Sequence, residues 1–300
     1  MYPMMAATFA LVIGFRLLQL ILPDDGSELK FTYGKLKISV DAAPAAPEAW
    51  LQGYYEKFAR SRITYLELKS INFGILYNVL APEVFCPYTV RVGSLADGGK
   101  FVCNPAKAPK NCSIYSLGIN NEISFDEDIQ GFNNFTCRIF GYEKRSIDSS
   151  IATRYTKING KVQQLEIASN TDPKRNRYTL GALVEHNNDT SVELLKMDLD
   201  GGERYFLIPF LERYKVCQVM VEVHGRPPVH VSLLSRIAKL NYALFSLDVH
   251  PRVPSACEYS FIHLDCMQAY GAYMLKRYLN NVKVPHCSQQ KHFSLIPFQC

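Results

Sequence analysis

The sequence predicts an α/β fold, with a seven-stranded, mostly parallel sheet and helices on both of its faces. After Asn111, short apolar runs alternate with stretches of helical periodicity over short connections, which is typical of a covered parallel sheet. Residues 195–203 (LKMDLDGGE) form one such unit, in which an apolar run ends at an aspartate and a glycine pair turns the chain toward a helix. Two further runs, 138–143 and 218–224, carry a glutamate at or near their ends. Ligands of open α/β sheets bind beyond the carboxyl ends of the strands, so these acidic residues predict a binding crevice.

Apolar runs predict the strands of this sheet, and helical periodicity predicts the helices that cover it. Strands are predicted at 113–117, 138–142, 162–167, 193–197, 218–223, 243–248 and 259–264. Helices are predicted at 125–131, 147–155, 179–186, 202–214, 229–240 and 266–278. Proline lacks the backbone donor that a helix interior needs, so Pro209 is expected to kink or restart the fourth helix.

A hairpin is predicted just before the sheet. Residues 88–93 and 100–103 alternate β-branched with other residues on either side of the glycine-rich turn at 97–99. The domain that contains the hairpin and the sheet is expected to span 86–280, and 281–300 is expected to be a C-terminal tail.

The chain before residue 86 has a different texture. Residues 1–22 are expected to be a signal peptide or signal anchor, and 23–85 a stem with an N-terminal helical lead-in. The lead-in contains a linker-like break at 43–47 (APAAP) and an amphipathic stretch at 50–58.

The expectation for residues 1–22 depends on an apolar run interrupted by one charge. Residues 4–15 are apolar and suit a signal sequence, and 4–22 are long enough to cross a bilayer if Arg16 is tolerated, at about 2.5 to 3.5 kcal/mol. The run has no Ala-x-Ala cleavage site close after Leu22 and no basic residue before it. We therefore expect a secretory protein, single-pass or secreted, with membrane attachment through this segment. The alternative is a cytoplasmic protein with a buried N-terminal helix.

Composition narrows the classes of partner. A hydrophobic content of 48% in 300 residues is enough for a full core. The formal net charge of +5 is spread along the chain without a block of lysine and arginine, so no nucleic-acid partner is expected.

The asparagine sequons and the cysteines bear on the compartment. Acceptor triplets begin at Asn111, Asn134 and Asn188, and the first, which ends in serine, is the weakest. Buried free thiols are expected in or beside the core strands, at Cys112, Cys137, Cys217 and Cys266. In an oxidising compartment the expected disulfides are Cys86–Cys103 and Cys287–Cys300. No cysteine or histidine spacing indicates a zinc site, and no metal is expected.

Three residues at the ends of predicted strands are the strongest candidates for a ligand site. Gly118 follows the first strand, where a glycine lets the backbone approach a ligand, and Asn120 tolerates the turn that follows. Glu143 ends the second strand, about where an acid accepts the ribose hydroxyls of a nucleoside cofactor, and Asp198 ends the fourth. Taken singly, these residues would equally suit an ordinary turn and solvated strand ends. The single glycine is not a GxGxxG motif, which argues against NAD or FAD.

The sequence resembles the FkbM-type methyltransferases over roughly residues 86–278. It is most similar to a branch of methyltransferase-like animal proteins that carries a DGG motif ahead of the first strand. The segments that carry the resemblance are 91–93 (RVG), 97–103 (DGGKFVC), 115–118 (YSLG), 124–126 (SFD), 195–203 (LKMDLDGGE) and 221–225 (VEVHG). The sequence departs from the family in having one glycine at the first turn, and in having Asp200 and Gly202 where a glutamate and an alanine are commoner.

The resemblance implies a class I methyltransferase dependent on S-adenosylmethionine, with a Rossmann-like sheet whose last strand is antiparallel. Gly118 would lie under the amino-acid part of the cofactor, Glu143 would hold its ribose, and Asp198 would lie near its methionine end. Asp97 and Gly98 match the upstream DGG and would close over the same pocket. The implied cofactor-binding residues are therefore Asp97, Gly98, Gly118, Asn120, Glu143 and Asp198.

Methyl transfer to a hydroxyl also needs a group that takes its proton. His224, at the end of the fifth strand, and Asp200 are the candidate catalytic residues for this role. A structural histidine is an equally good interpretation of His224. The expected reaction is O-methylation of a small-molecule or glycan-like acceptor, and this acceptor class rests on the FkbM resemblance alone. The alternatives are a non-catalytic secreted or membrane-tethered module with the same fold, and a nicotinamide-dependent oxidoreductase.

Overall fold

The computed structural model describes residues 47–95 and 97–283. The predicted signal segment 1–22, most of the predicted tail and the predicted Cys287–Cys300 disulfide lie outside these residues. In the part that is described, no helix combines the length and the hydropathy that crossing a bilayer requires.

The described residues form eight α-helices. They are α1 (Ala49–Leu66), α2 (Phe73–Val79), α3 (Ser124–Phe132), α4 (Ser149–Lys157), α5 (Leu180–His186), α6 (Glu203–Leu211), α7 (Pro227–Lys239) and α8 (Met267–Tyr270). Short 3-10 helices lie at Pro105–Lys107, Pro173–Arg175, Leu264–Cys266 and Leu279–Asn281. Pro209 lies inside α6, which continues beyond it without a restart.

The same residues form thirteen strands. They are β1 (Val84–Phe85), β2 (Thr89–Val92), β3 (Lys100–Cys103), β4 (Ser113–Leu117), β5 (Arg138–Glu143), β6 (Gly160–Gln164), β7 (Glu166–Ile167), β8 (Arg177–Tyr178), β9 (Val192–Met197), β10 (Val216–His224), β11 (Tyr242–Val249), β12 (Ala256–His263) and β13 (Tyr273–Met274).

Seven strands form the central sheet, in the order β11-β12-β10-β9-β4-β5-β6. Pairing is parallel from β10 to β6, whereas β12 is antiparallel to both of its neighbours, β10 and β11. The predicted α/β fold, with seven mostly parallel strands and an antiparallel last strand, is therefore confirmed. Side chains alternate between the two faces of a strand, so each face can build its own core. Leu195 and Met197 belong to one large cluster, and Leu194 belongs to a second cluster under α3 and α4.

The predicted helix at 266–278 is wrong. The chain forms only one turn, α8, and then stops at Gly271, which has a left-handed φ of 67° and serves as its C-cap. The following β13 pairs with β1 in a small antiparallel sheet. Strand pairing with a segment 190 positions earlier along the chain therefore overrides the local helical pattern.

The expectation of free thiols at four cysteines is also wrong. Cys112 pairs with Cys137 and Cys217 pairs with Cys266, with Cα–Cα distances of 4.5 and 5.5 Å. Cys112 and Cys137 each directly precede a strand. Because Ser113 lies opposite Arg138 in the parallel pair β4–β5, the two cysteines lie side by side. The predicted Cys86–Cys103 disulfide is confirmed. Among the described residues, the buried Cys257 is the free cysteine.

The predicted hairpin is confirmed, since β2 and β3 pair antiparallel. It lies across one face of the sheet, where the Gln218 side chain both donates to and accepts from the backbone of Cys103, with each bond at 2.9 Å. The hydroxyl of Ser260 donates to the carbonyl of Phe101 at 2.7 Å. These contacts hold Lys100, the first residue of β3, against the sheet.

Candidate functional site

Gly118 lies at the centre of the crevice formed by the carboxyl ends of β4, β5 and β9. Its N–H donates to the carbonyl of Tyr142 at 2.9 Å, and the N–H of Asp198 donates to the carbonyl of Leu117 at 3.1 Å. Gly118 has a φ of 71°, and an added Cβ atom would overlap the carbonyl oxygen of Asp198. A side chain at this position would not fit against the Asp198 carbonyl. A glycine is therefore needed where the ends of β4 and β9 meet.

Glu143 ends β5 beside Gly118 and is 6% exposed. One carboxylate oxygen accepts the N–H of Asn120 at 2.8 Å, and the other accepts the N–H of Arg145 at 2.7 Å. A carboxylate has about four acceptor positions, so both oxygens can accept a further hydrogen bond. Glu143 thus fixes the turn after Gly118 and faces the crevice as an acceptor.

Asn120 and Asp200 are connected through Arg145. The Asn120 Oδ1 atom accepts from Arg145 Nη1 at 2.8 Å, and Asp200 Oδ2 accepts from Arg145 Nη2 at 3.1 Å. Both residues have left-handed φ angles, 44° for Asn120 and 53° for Asp200, which asparagine and aspartate tolerate better than most. The Asp200 side chain is 74% exposed. Asp200 therefore contacts the loop after β5 rather than the end of β10.

Asp198 belongs to a group of acidic side chains from three elements. One carboxylate oxygen of Asp198 lies within 4.8 Å of a carboxylate oxygen of Asp97 and of a carboxylate oxygen of Glu222. Asp198, Glu203 and His224 form a second set with the same spacing. Donor atoms at this spacing would also suit a cation, although the sequence analysis expected no metal. Gly98, in the same turn as Asp97, has a φ of 89°. The structure therefore brings the predicted Asp97 turn to the predicted Asp198.

A buried lysine compensates part of this negative charge. The Lys100 side chain is fully buried, contacts Glu258, and has its Nζ atom 3.8 Å from Asp198 Oδ2. Burial by itself would lower the pKa of Lys100, but the carboxylates of Glu258 and Asp198 raise it above its usual value. Lys100 is therefore charged at neutral pH.

Asp198 and Glu222 share the remaining charge unequally. Burial opposes the ionised form of Asp198, yet Lys100 and a hydrogen bond from Glu222 hold its pKa below the usual range. Burial, together with the hydrogen bond and charge of Asp198, raises the pKa of Glu222 to about 9. At neutral pH, Asp198 is the charged acid and Glu222 carries the proton.

Glu203 stabilises the turn between β9 and α6. It is 1% exposed, and its Oε1 atom accepts the N–H groups of Leu199 at 2.7 Å and Gly201 at 3.3 Å. Burial raises the pKa of its carboxyl above the usual value, although these amides favour the charged form. Glu203, and neither aspartate of the turn, therefore accepts from the free amides ahead of this helix.

His224 ends β10 next to Glu222. Its Nε2 atom lies 3.5 Å from Glu222 Oε1, and its side chain is 31% exposed. Sequence reasoning named His224 but assigned no role to Glu222, Glu203 or Lys100. Alternation along 218–224 could have identified Glu222, since it lies on the same face of the strand as Gln218. Lys100 gave no such signal, because its burial depends on the docked hairpin.

Comparison with known proteins gives one family. The family model described as "Methyltransferase domain" matches residues 64–263. No curated protein matches the sequence.

Solved structures similar to this chain include several methyltransferases. Aeropyrum pernix fibrillarin with S-adenosyl-L-methionine has a TM-score of 0.40 and 10% identity, over 52% of this chain and 68% of that one. TrmK from M. capricolum with S-adenosyl-homocysteine has a TM-score of 0.33 and 9% identity, over 53% and 66%. The human methyltransferase 10 domain containing protein has a TM-score of 0.34 and 8% identity, over 77% and 84%.

Proposed function

The chain belongs to the methyltransferase-domain family, and from this premise we propose that it transfers a methyl group from S-adenosylmethionine to a hydroxyl group of a small or glycan-like acceptor. The observation that carries the proposal is that Gly118, Glu143 and Asp198 lie together at the carboxyl ends of β4, β5 and β9. Gly118 makes a backbone contact with the Asp198 carbonyl there that only glycine permits. The motifs at 97–103 and 195–203 support membership of the FkbM-type branch, from which the acceptor class is taken.

The cofactor would lie across the ends of β4, β5 and β9. Gly118, whose missing side chain admits the Asp198 carbonyl, would lie under its amino-acid part. The Glu143 carboxylate would accept the ribose hydroxyls with the acceptor capacity that remains after Asn120 and Arg145. Asn120 shapes the turn between them, with its N–H held on Glu143.

The methionine end of the cofactor would lie at the acidic group. S-adenosylmethionine carries an ammonium group there, and opposite charges in a partly buried site attract strongly. Asp198 is ionised, and Asp97 approaches it from the hairpin side. Asp97 and Gly98 would thus cover the cofactor once it is bound.

The reacting hydroxyl would approach from the end of β10. Methyl transfer from a sulfonium is an in-line displacement, for which alignment alone supplies on the order of 7 to 11 kcal/mol. His224 is the better-placed general base, since it is partly exposed and next to Glu222. Asp200, which is paired with Arg145, is the second candidate.

Calorimetric titration with S-adenosylhomocysteine tests this proposal, with NAD as the control ligand. We expect binding of the first only. Glu143→Ala should weaken binding by about 1.5 to 3 kcal/mol, because a charged acceptor of two hydroxyl hydrogen bonds is lost. Glu212→Ala is the matched control, since Glu212 is exposed at the end of α6. Unchanged affinity in a folded Glu143→Ala protein would show that Glu143 only holds its loop.

Gly118→Ala tests the backbone contact directly. The added methyl group would meet the carbonyl of Asp198 and should abolish binding, whereas Gly131→Ala adds the same group to α3 with no atom within 4 Å. Absence of binding in the unmodified protein would favour the alternative, a non-catalytic module that keeps the fold.

The chain would carry out this reaction in the secretory pathway, attached as a single-pass protein facing the lumen. The apolar residues 4–22 motivate this assignment, and three disulfides among the described residues support it, because disulfides persist in oxidising compartments. A reduced protein recovered from the cytosol would contradict it and would favour the cytoplasmic alternative.

A further inference from the structure

The three sequon asparagines lie at the amino ends of three neighbouring strands of the central sheet, a border that we call its amino-end edge. Asn111 precedes β4, Asn134 precedes β5 and Asn188 precedes β9. These strands are neighbours and parallel, in the order β9-β4-β5. The asparagines therefore line the amino-end edge, whereas Gly118 and Asp198 lie at the carboxyl ends of β4 and β9. A strand rises about 3.3 Å per residue, so roughly 20 Å separates the two edges.

All three asparagines present their side chains to solvent from tight turns. Each is exposed, and the left-handed φ angles are 61° at Asn111, 54° at Asn134 and 56° at Asn188. Within the part of the chain that the structure describes, none of their side-chain amides is hydrogen-bonded. A glycan joined to any of them would displace no contact of the fold.

The residues that complete the triplets differ in ways that rank the sites. Thr190 is exposed, and Thr136 is half-buried with its hydroxyl donating to the carbonyl of Asn133 at 2.8 Å. Ser113 is 4% exposed and donates to Asp189 at 2.5 Å, and the residue before it, Cys112, is in a disulfide. Cys112 lies inside the Asn111 triplet, whereas its disulfide partner Cys137 lies just outside the Asn134 triplet, after Thr136. Disulfide formation would therefore compete most directly with glycan transfer at Asn111.

We propose that Asn134 and Asn188 carry N-linked oligosaccharides, and that the amino-end edge of the sheet is a glycan-bearing edge opposite the methyltransferase site. The co-reactant is an oligosaccharide linked to a lipid diphosphate, delivered by its transferase. The asparagine amide nitrogen bonds to the anomeric carbon of the oligosaccharide. The carbon–oxygen bond to the diphosphate breaks, the lipid diphosphate leaves with the electron pair, and the amide proton passes to a base of the transferase.

The surroundings of Asn134 also suit a sugar. Phe135, the next residue, is 49% exposed on the same turn, and an exposed ring can cover the apolar face of a sugar. Phe135 has a left-handed φ of 57°, which is unusual for an aromatic residue and keeps this turn tight.

Site occupancy in the full chain secreted or retained by cultured animal cells tests the proposal. Treatment with peptide N-glycosidase in ¹⁸O-water converts each occupied asparagine into labelled aspartate, which peptide mass spectrometry locates. We expect label at Asn134 and Asn188, and much less at Asn111. The proposal would be overturned by a wild-type chain that lacks label at Asn134 or at Asn188, or by a chain that stays in the cytosol.

Variants of the hydroxyl residue separate the glycan from the turn. Thr136→Ala and Thr190→Ala should each remove one step of mobility shift, whereas the matched Thr136→Ser and Thr190→Ser keep a hydroxyl and should keep the glycan. The asparagines themselves stay in place, so the left-handed turns are preserved. A shift that persists in both alanine variants would refute the assigned positions.

This outcome is independent of methyl transfer. Because the two edges are far apart, enzymatic removal of the glycans should leave affinity for S-adenosylhomocysteine unchanged. Label at Asn134 and Asn188 in a chain that fails to bind S-adenosylhomocysteine would uphold the glycan-bearing edge and contradict the proposed activity alone.

Discussion

Asp198 and Asp200 are separated by one residue but have different surroundings. Asp198 lies near the buried Lys100 and bonds with Glu222, whereas Asp200 is largely exposed and pairs with Arg145. Both would be expected to stabilise the nearby helix start by about 0.3 to 1 kcal/mol if they only capped it. Glu203 accepts from those amides instead, so the two aspartates are available for other roles.

We predict that Asp198→Asn and Asp200→Asn affect the protein differently. Loss of the Asp198 charge should raise the dissociation constant for the cofactor severalfold or more, because the cation at its methionine end loses its partner. Asp200→Asn should leave that constant nearly unchanged and lower turnover, as expected for an interaction made mainly in the transition state. Titration calorimetry, turnover and melting temperature are measured for both, and equal behaviour of the pair would refute the separate roles.

Glu222 predicts a pH dependence of stability. Its pKa rises from an ordinary value near 4.5 to about 9 on folding. Between these values the folded state holds a proton that the unfolded state has released, so stability falls as pH rises, by at most about 1.4 kcal/mol per pH unit. Glu222→Gln should flatten this part of the profile, whereas the exposed control Glu212→Gln should not. Urea unfolding at pH 6 and pH 8 measures the difference, and parallel profiles for wild type and Glu222→Gln would contradict the protonated state.

At the scale of elements, polar contacts attach the hairpin β2–β3 to the sheet. Gln218 is fully buried and makes two of them with the Cys103 backbone. Lys100 and the turn with Asp97 and Gly98 belong to this hairpin. The positions of Asp97 and Lys100 at the acidic site therefore depend on how the hairpin docks.

We predict that Gln218→Ala destabilises the protein by about 1 to 3 kcal/mol, since it leaves a buried N–H and a buried carbonyl of Cys103 without partners. It should also weaken cofactor binding, because the Asp97 turn loses its support. Gln163→Ala, at an exposed position of β6, is the control and should change neither quantity. Loss of stability without any loss of affinity would show that the hairpin does not contribute to the site.

The whole molecule is cross-linked by three disulfides among its described residues. Cys112–Cys137 closes a segment of 25 residues, for which a stabilisation of about 2 to 4 kcal/mol is usual. We predict a loss of this order in the unfolding free energy of the double variant Cys112→Ala/Cys137→Ala. Dithiothreitol should also lower the melting temperature of the wild type more than that of the variant. Equal responses to dithiothreitol would mean that this bond is absent in the folded protein.

The sheet was predictable from the sequence, and much of the acidic site was not. Strand β4 begins and ends where it was predicted, and all five of its residues are buried, as expected of a strand that is covered on both faces. Residues 266–278 misled the prediction, because a single left-handed glycine and a distant pairing partner decide their structure. Lys100 and Glu222 were missed as site residues for a related reason. The charge of Lys100 depends on Glu258 and Asp198, both more than 90 residues later in the sequence, and the protonation of Glu222 depends on burial and on Asp198, 24 residues earlier. Alternation could have placed Glu222 on a buried face of β10, but a local pattern does not give its protonation state.

The pairing of Cys112 with Cys137 also has a consequence for oxidative folding. These cysteines directly precede β4 and β5, and Gly118 directly follows β4 whereas Glu143 ends β5. A slip of one residue between paired strands turns every side chain of the displaced strand to the opposite face, and would turn Glu143 away from the crevice. Such a slip would also draw the two sulfur atoms apart. Formation of this bond therefore selects the chains whose strands are aligned for ligand binding, before any ligand is present.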